Sequence, residues 1–121
     1  MKKILVVDDE PSLRFSLEHF LKSGGYAVTT ASTYEDAVSV LSGEQFDLVV
    51  TDLLLGSRSG IDLLAIAKAG NPDCRVVVIT GYPHQDSAES ARQLGAFDYL
   101  PKPVRKDDIL RIAARALEPA S

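Results

Sequence analysis

The chain has 121 residues, enough for one ordinary domain with a real core, and 45% hydrophobic with 25% charged residues is a globular composition. A net charge of −4 argues against broad nucleic-acid binding by this segment, because phosphate backbones call for a basic surface. The single cysteine, Cys74, excludes an intramolecular disulfide and fits a reducing, cytoplasmic setting.

Met1-Lys2-Lys3 followed by Ile4-Leu5-Val6-Val7 could be mistaken for a secretion signal. The apolar run stops after four residues at Asp8-Asp9-Glu10, too short for that, and no later run approaches transmembrane length. Ile4–Val7 reads instead as a strand buried on both faces, as do Leu48-Val49-Val50 and Val76-Val77-Val78-Ile79. Continuous runs of this kind mark the central strands of a parallel sheet. Tyr26 to Thr30 and Phe97 to Leu100 are more mixed, as edge strands are.

Helical patterns alternate with these runs. Leu13, Leu17, Phe20 and Leu21 share one face of a first helix, with Pro11 in its first turn and Gly24-Gly25 as its stop. Thr33 with Asp36 resembles a capping box opening a second helix, with Ala37, Val40 and Leu41 inward. A third helix is expected from about Ser59 to Ala69, before Gly70 and Pro72. A fourth is expected from about Gln85 to Leu94, before Gly95. Ile109, Ile112, Ala113, Ala116 and Leu117 give the fifth by the i, i+3, i+4, i+7, i+8 rule, with Arg105-Lys106-Asp107-Asp108 as its solvated start. Cys74 reads as core filler, and His19 and His84 as exposed side chains without partners. The order is (βα)5, an α/β fold. Right-handed crossovers put helices on both faces of a doubly wound parallel sheet, in the flavodoxin-like order 2-1-3-4-5. Residues 1–117 are read as one domain. Glu118-Pro119-Ala120-Ser121 is read as the start of a linker.

In such sheets a ligand binds beyond the carboxyl ends of the strands. Strand one is followed by Asp8 and Asp9, strand three by Thr51 and Asp52, strand four by Thr80 and Gly81, and strand five by Lys102 between Pro101 and Pro103. Three clustered carboxylates repel one another. Lys102 neutralises one, and a divalent cation neutralises the other two. Hard oxygen donors suit Mg²⁺, with Mn²⁺ as its substitute, and no His or Cys at these strand ends invites zinc. Asp52 beside such a cation and an ammonium is a nucleophile for a phosphoryl group, with the Thr80 hydroxyl placed to bind the product.

Val6-Val7-Asp8-Asp9-Glu10-Pro11, Thr51-Asp52-Leu53, Gly60, Thr80-Gly81 and Tyr99-Leu100-Pro101-Lys102-Pro103 together resemble the signature of two-component response regulator receivers, over the whole chain. Gly95-Ala96-Phe97-Asp98-Tyr99-Leu100 resembles the NtrC-like transcriptional class. The resemblance implies that a sensor histidine kinase phosphorylates Asp52. It implies direct Mg²⁺ ligation by Asp9, Asp52 and the Leu54 carbonyl, with Asp8 acting through metal-bound water. It makes Thr80 and Tyr99 the switch pair, Lys102 the phosphate-binding lysine and the Lys102–Pro103 bond cis. It also implies a C-terminal output domain that binds DNA, and a homodimer on phosphorylation. Leu54 and Tyr82 occupy the positions that flank the approach of a hydrolytic water in the family's geometry.

One departure stands out. The family usually has Met-Pro three and four residues after the phosphoacceptor, where this chain reads Leu55-Gly56. Without the proline, the segment up to Gly60 is expected to be a more flexible loop. Two other functions use comparable parts. An aspartyl-nucleophile phosphatase wants an acid at position 54, which is Leu, and turnover of p-nitrophenyl phosphate would reveal one. A flavin carrier wants a hydroxyl- and glycine-rich loop after strand one, where Asp8-Asp9-Glu10 would repel FMN.

Overall fold

A computed structural model describes residues 1–118. The linker expected at 118–121 therefore lies, beyond Glu118, outside the described residues. The elements are β1 (Lys3–Val7), α1 (Pro11–Ser23), β2 (Ala27–Ala31), α2 (Tyr34–Gly43), β3 (Leu48–Asp52), β4 (Leu54–Leu55), β5 (Arg58–Ser59), α3 (Asp62–Gly70), β6 (Arg75–Thr80), α4 (Gln85–Gln93), β7 (Asp98–Pro101) and α5 (Lys106–Ala116). Five strands form one parallel sheet in the order β2-β1-β3-β6-β7. Counting these principal strands, this is the 2-1-3-4-5 order expected from the sequence.

The continuous apolar runs are explained by burial on both sides. Ile4 and Val6 face a core closed by Leu17 and Leu21 of α1 and by Ile109, Ile112, Ala113 and Ala116 of α5. Leu5 and Val7 face the opposite core, closed by Ala37 and Leu41 of α2 and by Leu63, Leu64 and Ala67 of α3. Alternating residues of one strand thus serve two different layers. The polar helix α4 buries only Ala91, which meets Leu53 and Val78. It is the most lightly anchored of the five helices.

Local signals act as expected at several helix ends. Pro11 occupies the first turn of α1, and Gly25, with φ of 93°, turns the chain out of it. Thr33 Oγ1 accepts the Asp36 amide at 3.0 Å and caps α2. Cys74 is buried, and burial pushes its thiol up to about 11. Alkylation by iodoacetamide near pH 8 should therefore run on the order of 100-fold slower in the native chain than in urea, since an ordinary thiol ionises near 8.5. Equal rates in the two states would contradict this burial.

Some expected bounds and one expected loop differ in the structure. Strand two starts at Ala27, because the Tyr26 amide is still engaged with Leu21 O in the turn that ends α1. The third helix starts at Asp62 rather than near Ser59. Arg58–Ser59 pairs antiparallel with Leu54–Leu55, so the segment expected to be a flexible loop is a tight hairpin. Gly56 has φ of 63° and no non-glycine described residue has positive φ. Glycine first in a two-residue loop, with positive φ there alone, is the type II′ pattern. Leu55 plugs the hairpin into the α2/α3 core, and the Arg58 guanidinium lies 4.2 Å from the centre of the Tyr34 ring. Packing and a stacked cation hold this segment without the proline. His84 also differs: it is exposed, yet its Nδ1 accepts the Asp86 amide at 3.1 Å and caps α4.

Candidate functional site

The register of the parallel strands brings four strand ends to one edge of the sheet. Val7 lies beside Thr51, Asp52 beside Ile79 and Thr80 beside Pro101. The next residues out are Asp8, Asp9 and Lys102. Asp52 is 6% exposed and Asp8 fully buried, while Asp9 is exposed. An oxygen of each carboxylate lies within 4.8 Å of the others. Asp9, Asp52, Thr80 and Lys102 line an open cleft of about 440 Å³, together with the exposed side chains of Leu54 and Tyr82.

Each group is fixed by neighbours. Asp8 Oδ1 accepts the Glu10 amide at 2.8 Å, and Arg14 donates to the Asp8 carbonyl at 2.8 Å. Asp52 Oδ1 accepts the Leu54 amide at 3.2 Å, and Oδ2 accepts Lys102 Nζ at 2.9 Å. Lys102 is itself placed by its backbone, whose amide donates to Thr80 O at 2.7 Å. The Lys102–Pro103 peptide is cis. Thr80 Oγ1 accepts the Tyr82 amide at 3.0 Å. The Tyr99 hydroxyl meets Ser87 Oγ at 2.6 Å and accepts the His84 amide at 3.3 Å.

The electrostatics are those of a cation-hungry pocket. Burial pushes the Asp8 carboxyl up, as does the negative charge of Asp52, against the lowering effect of the Glu10 amide and Lys102. Burial alone would lower Lys102. Its hydrogen bond to Asp52 and the charges of Asp8 and Asp52 outweigh that and raise it. Lys102 Nζ also lies 3.3 Å from Asp8 Oδ2, but that buried oxygen makes no hydrogen bond. An orphaned buried carboxylate oxygen among three acids, with one lysine, fits a hard divalent cation.

The chain belongs to the response regulator receiver domain family of two-component systems, whose family model matches residues 4–114. It is 40% identical to the alginate biosynthesis transcriptional regulatory protein AlgB of Pseudomonas aeruginosa, over 96% of this chain and 26% of that protein. It is 34% identical to the DNA-binding transcriptional regulator NtrC of Escherichia coli, over 94% of this chain and 24% of that protein. The chain thus spans about a quarter of the length of these curated relatives. Among solved structures, a response regulator protein from Burkholderia pseudomallei with a phosphorylated aspartic acid, calcium ion and citrate superposes with a TM-score of 0.86 at 36% identity, covering 98% of this chain and 67% of that one. The beryllofluoride-activated NtrC4 receiver domain dimer gives 0.89 at 34% identity, with 97% of each chain covered.

Sequence reasoning placed Asp8, Asp9, Asp52, Thr80 and Lys102 together, and the fold brings them together. It did not find Arg14, whose link to the Asp8 backbone is invisible in a surface-helix pattern. It also did not find the contacts of Tyr99 with Ser87 and His84, which join residues 12 and 15 positions apart.

Proposed function

We propose that this domain is the Mg²⁺-dependent phosphoryl acceptor of a two-component phosphorelay, with Asp52 phosphorylated by a sensor histidine kinase. The observation that supports this most is the buried Asp8 oxygen left without a hydrogen bond beside Asp52 and Lys102. Asp9, Asp52 and the Leu54 carbonyl would hold Mg²⁺, or Mn²⁺, with Asp8 acting through water. The ion would supply positive charge for the oxygens of the transferring phosphoryl group.

The chain's own groups do the rest. Asp52 presents its carboxylate to the cleft as nucleophile. Lys102, held at 2.9 Å from Asp52 Oδ2, keeps an ammonium beside the incoming group. The Thr80 hydroxyl leaves the Tyr82 amide to bind the phosphoryl group, and the space vacated lets Tyr99 turn inward. The face of α4, β7 and α5 then changes, and a partner or a second copy reads it.

The reading extends to the whole protein: residues 1–117 as the receiver, and 118–121 opening a linker to a DNA-binding output domain. The transcriptional relatives, of which this chain spans about a quarter, support that extension. The NtrC4 receiver dimer supports homodimerisation on phosphorylation. A cytoplasmic switch, not a turnover enzyme, follows from the same reading. Leu54 stands where a phosphatase would carry its acid. Intact-mass analysis with acetyl phosphate should show one phosphoryl group added to the wild type with Mg²⁺, none with chelator, and none on Asp52→Asn. Full labelling of the Asn variant would overturn the assignment.

A further inference from the structure

The hydroxyl of Tyr99 belongs to a closed ring of hydrogen bonds. Ser87 Oγ lies 3.0 Å from the His84 carbonyl, which can only accept, so the serine proton goes there. The 2.6 Å contact between Ser87 Oγ and Tyr99 must then carry the tyrosine proton, with Ser87 accepting. The Tyr99 oxygen in turn accepts the His84 amide at 3.3 Å. Every proton in the circuit is thereby assigned: His84 N–H to Tyr99, Tyr99 O–H to Ser87, Ser87 O–H back to His84 C=O.

The ring ties β7 to the first turn of α4, the helix with only Ala91 buried. Its apolar anchor is small, so directed polar contacts weigh more in fixing its position than they would elsewhere. The same segment is held a second time, by the Tyr82 amide on Thr80 Oγ1. Both switch side chains therefore grip the β6–α4 connection and the first turn of α4, one at residue 82 and the other at 84 and 87. Tyr99 cannot turn inward without giving up the bonds to Ser87 and His84 together.

We propose that Ser87 is a positioning residue that latches Tyr99 in the unphosphorylated setting and so fixes how far the domain is switched before any phosphate arrives. This rests on the proposed reading of Thr80 and Tyr99 as the switch pair. Ser87→Ala removes one of the two bonds that an inward Tyr99 must break, and leaves the His84 amide in place. Ser87→Thr retains the hydroxyl and should retain the latch.

The test follows the Tyr82 amide by NMR, since its bond to Thr80 Oγ1 is lost on switching. Phosphorylated or beryllofluoride-treated wild type gives the switched end point, and intact mass confirms that Asp52 is modified. Without any donor, Ser87→Ala should move the Tyr82 amide along the line toward that end point, raising the switched-to-unswitched ratio about fivefold. Ser87→Thr should stay at the wild-type position. In a Tyr99→Phe background, which lacks the hydroxyl, Ser87→Ala should move the amide no further. An unmoved Ser87→Ala, or an equal displacement with and without the Tyr99 hydroxyl, would overturn the latch. Failure of the wild type to take phosphate on Asp52 would instead overturn the function on which it rests.

Discussion

Gly60→Ala should lower stability by about 3 kcal/mol and slow phosphorylation of Asp52, the larger of the two effects being on stability. A Cβ at residue 60 would overlap the Asp52 carbonyl oxygen and lie 2.9 Å from Thr51 Oγ1. Neither obstacle is a flexible side-chain end that can swing away. Asp52 O already accepts Thr51 Oγ1 at 3.0 Å, and the Leu53 amide on one side and carbonyl on the other are bound to Ile79 O and the Gly60 amide at 2.8 and 2.7 Å. Relief must therefore come from moving the end of β3, a strand buried along its whole length, or the turn into α3. The first displaces Asp52, the proposed phosphoacceptor, and the second disturbs the hairpin.

Two other glycines calibrate the result. Gly56 has φ of 63° and open space around its Cβ position, so alanine there strains the backbone alone, by about 1 kcal/mol. Gly43 ends α2, has open space and no positive φ, and alanine there should be neutral or slightly stabilising. Urea denaturation of the three variants gives the ranking. A loss at Gly60 no greater than at Gly56 would refute the close approach as the reason for the glycine.

The contrast between Gly60 and the hairpin shows what the sequence could and could not reveal. Ile4–Val7, Leu48–Val50 and Val76–Ile79 announce their two-sided burial by composition, and the parallel order follows from the helices between them. Asp8, Asp9, Asp52 and Thr80 each follow such a run and Lys102 follows the more mixed fifth strand, so the strand register brings them to one edge. The hairpin at 54–59 escapes this logic. Its strands have two residues each, too few for any period to show, and its anchor is Leu55 in a core and Arg58 on Tyr34, contacts set by tertiary packing. The same holds for the ring of Tyr99, Ser87 and His84. His84 reads as a lone exposed histidine because its role, capping α4, depends on where the helix begins.

The lifetime of the aspartyl phosphate should be long, and Leu54→Asn with Tyr82→Glu should shorten it about tenfold, equivalent to about 1.4 kcal/mol of barrier. Hydrolysis needs a water in line with the Asp52–phosphorus bond, approaching through the open cleft. Leu54 and Tyr82 line that cleft, 50% and 79% exposed, so both meet the solvent from which the water must come. Leu54 carries no atom that can orient it. Tyr82 offers only a distant hydroxyl on a bulky ring. An amide at 54 and a carboxylate at 82 would each hold the water in the attacking geometry, a gain in orientation rather than in chemistry. The substitutions spare the backbone contacts of both residues, because Asp52 Oδ1 is held by the amide of residue 54 and Thr80 Oγ1 by that of residue 82. Loss of phosphate is followed by intact mass after the donor is removed, with Mg²⁺ held constant. The two single variants divide the effect between the side chains. If the double variant decays no faster than the wild type, these side chains do not control the water, and resetting is limited elsewhere in the site.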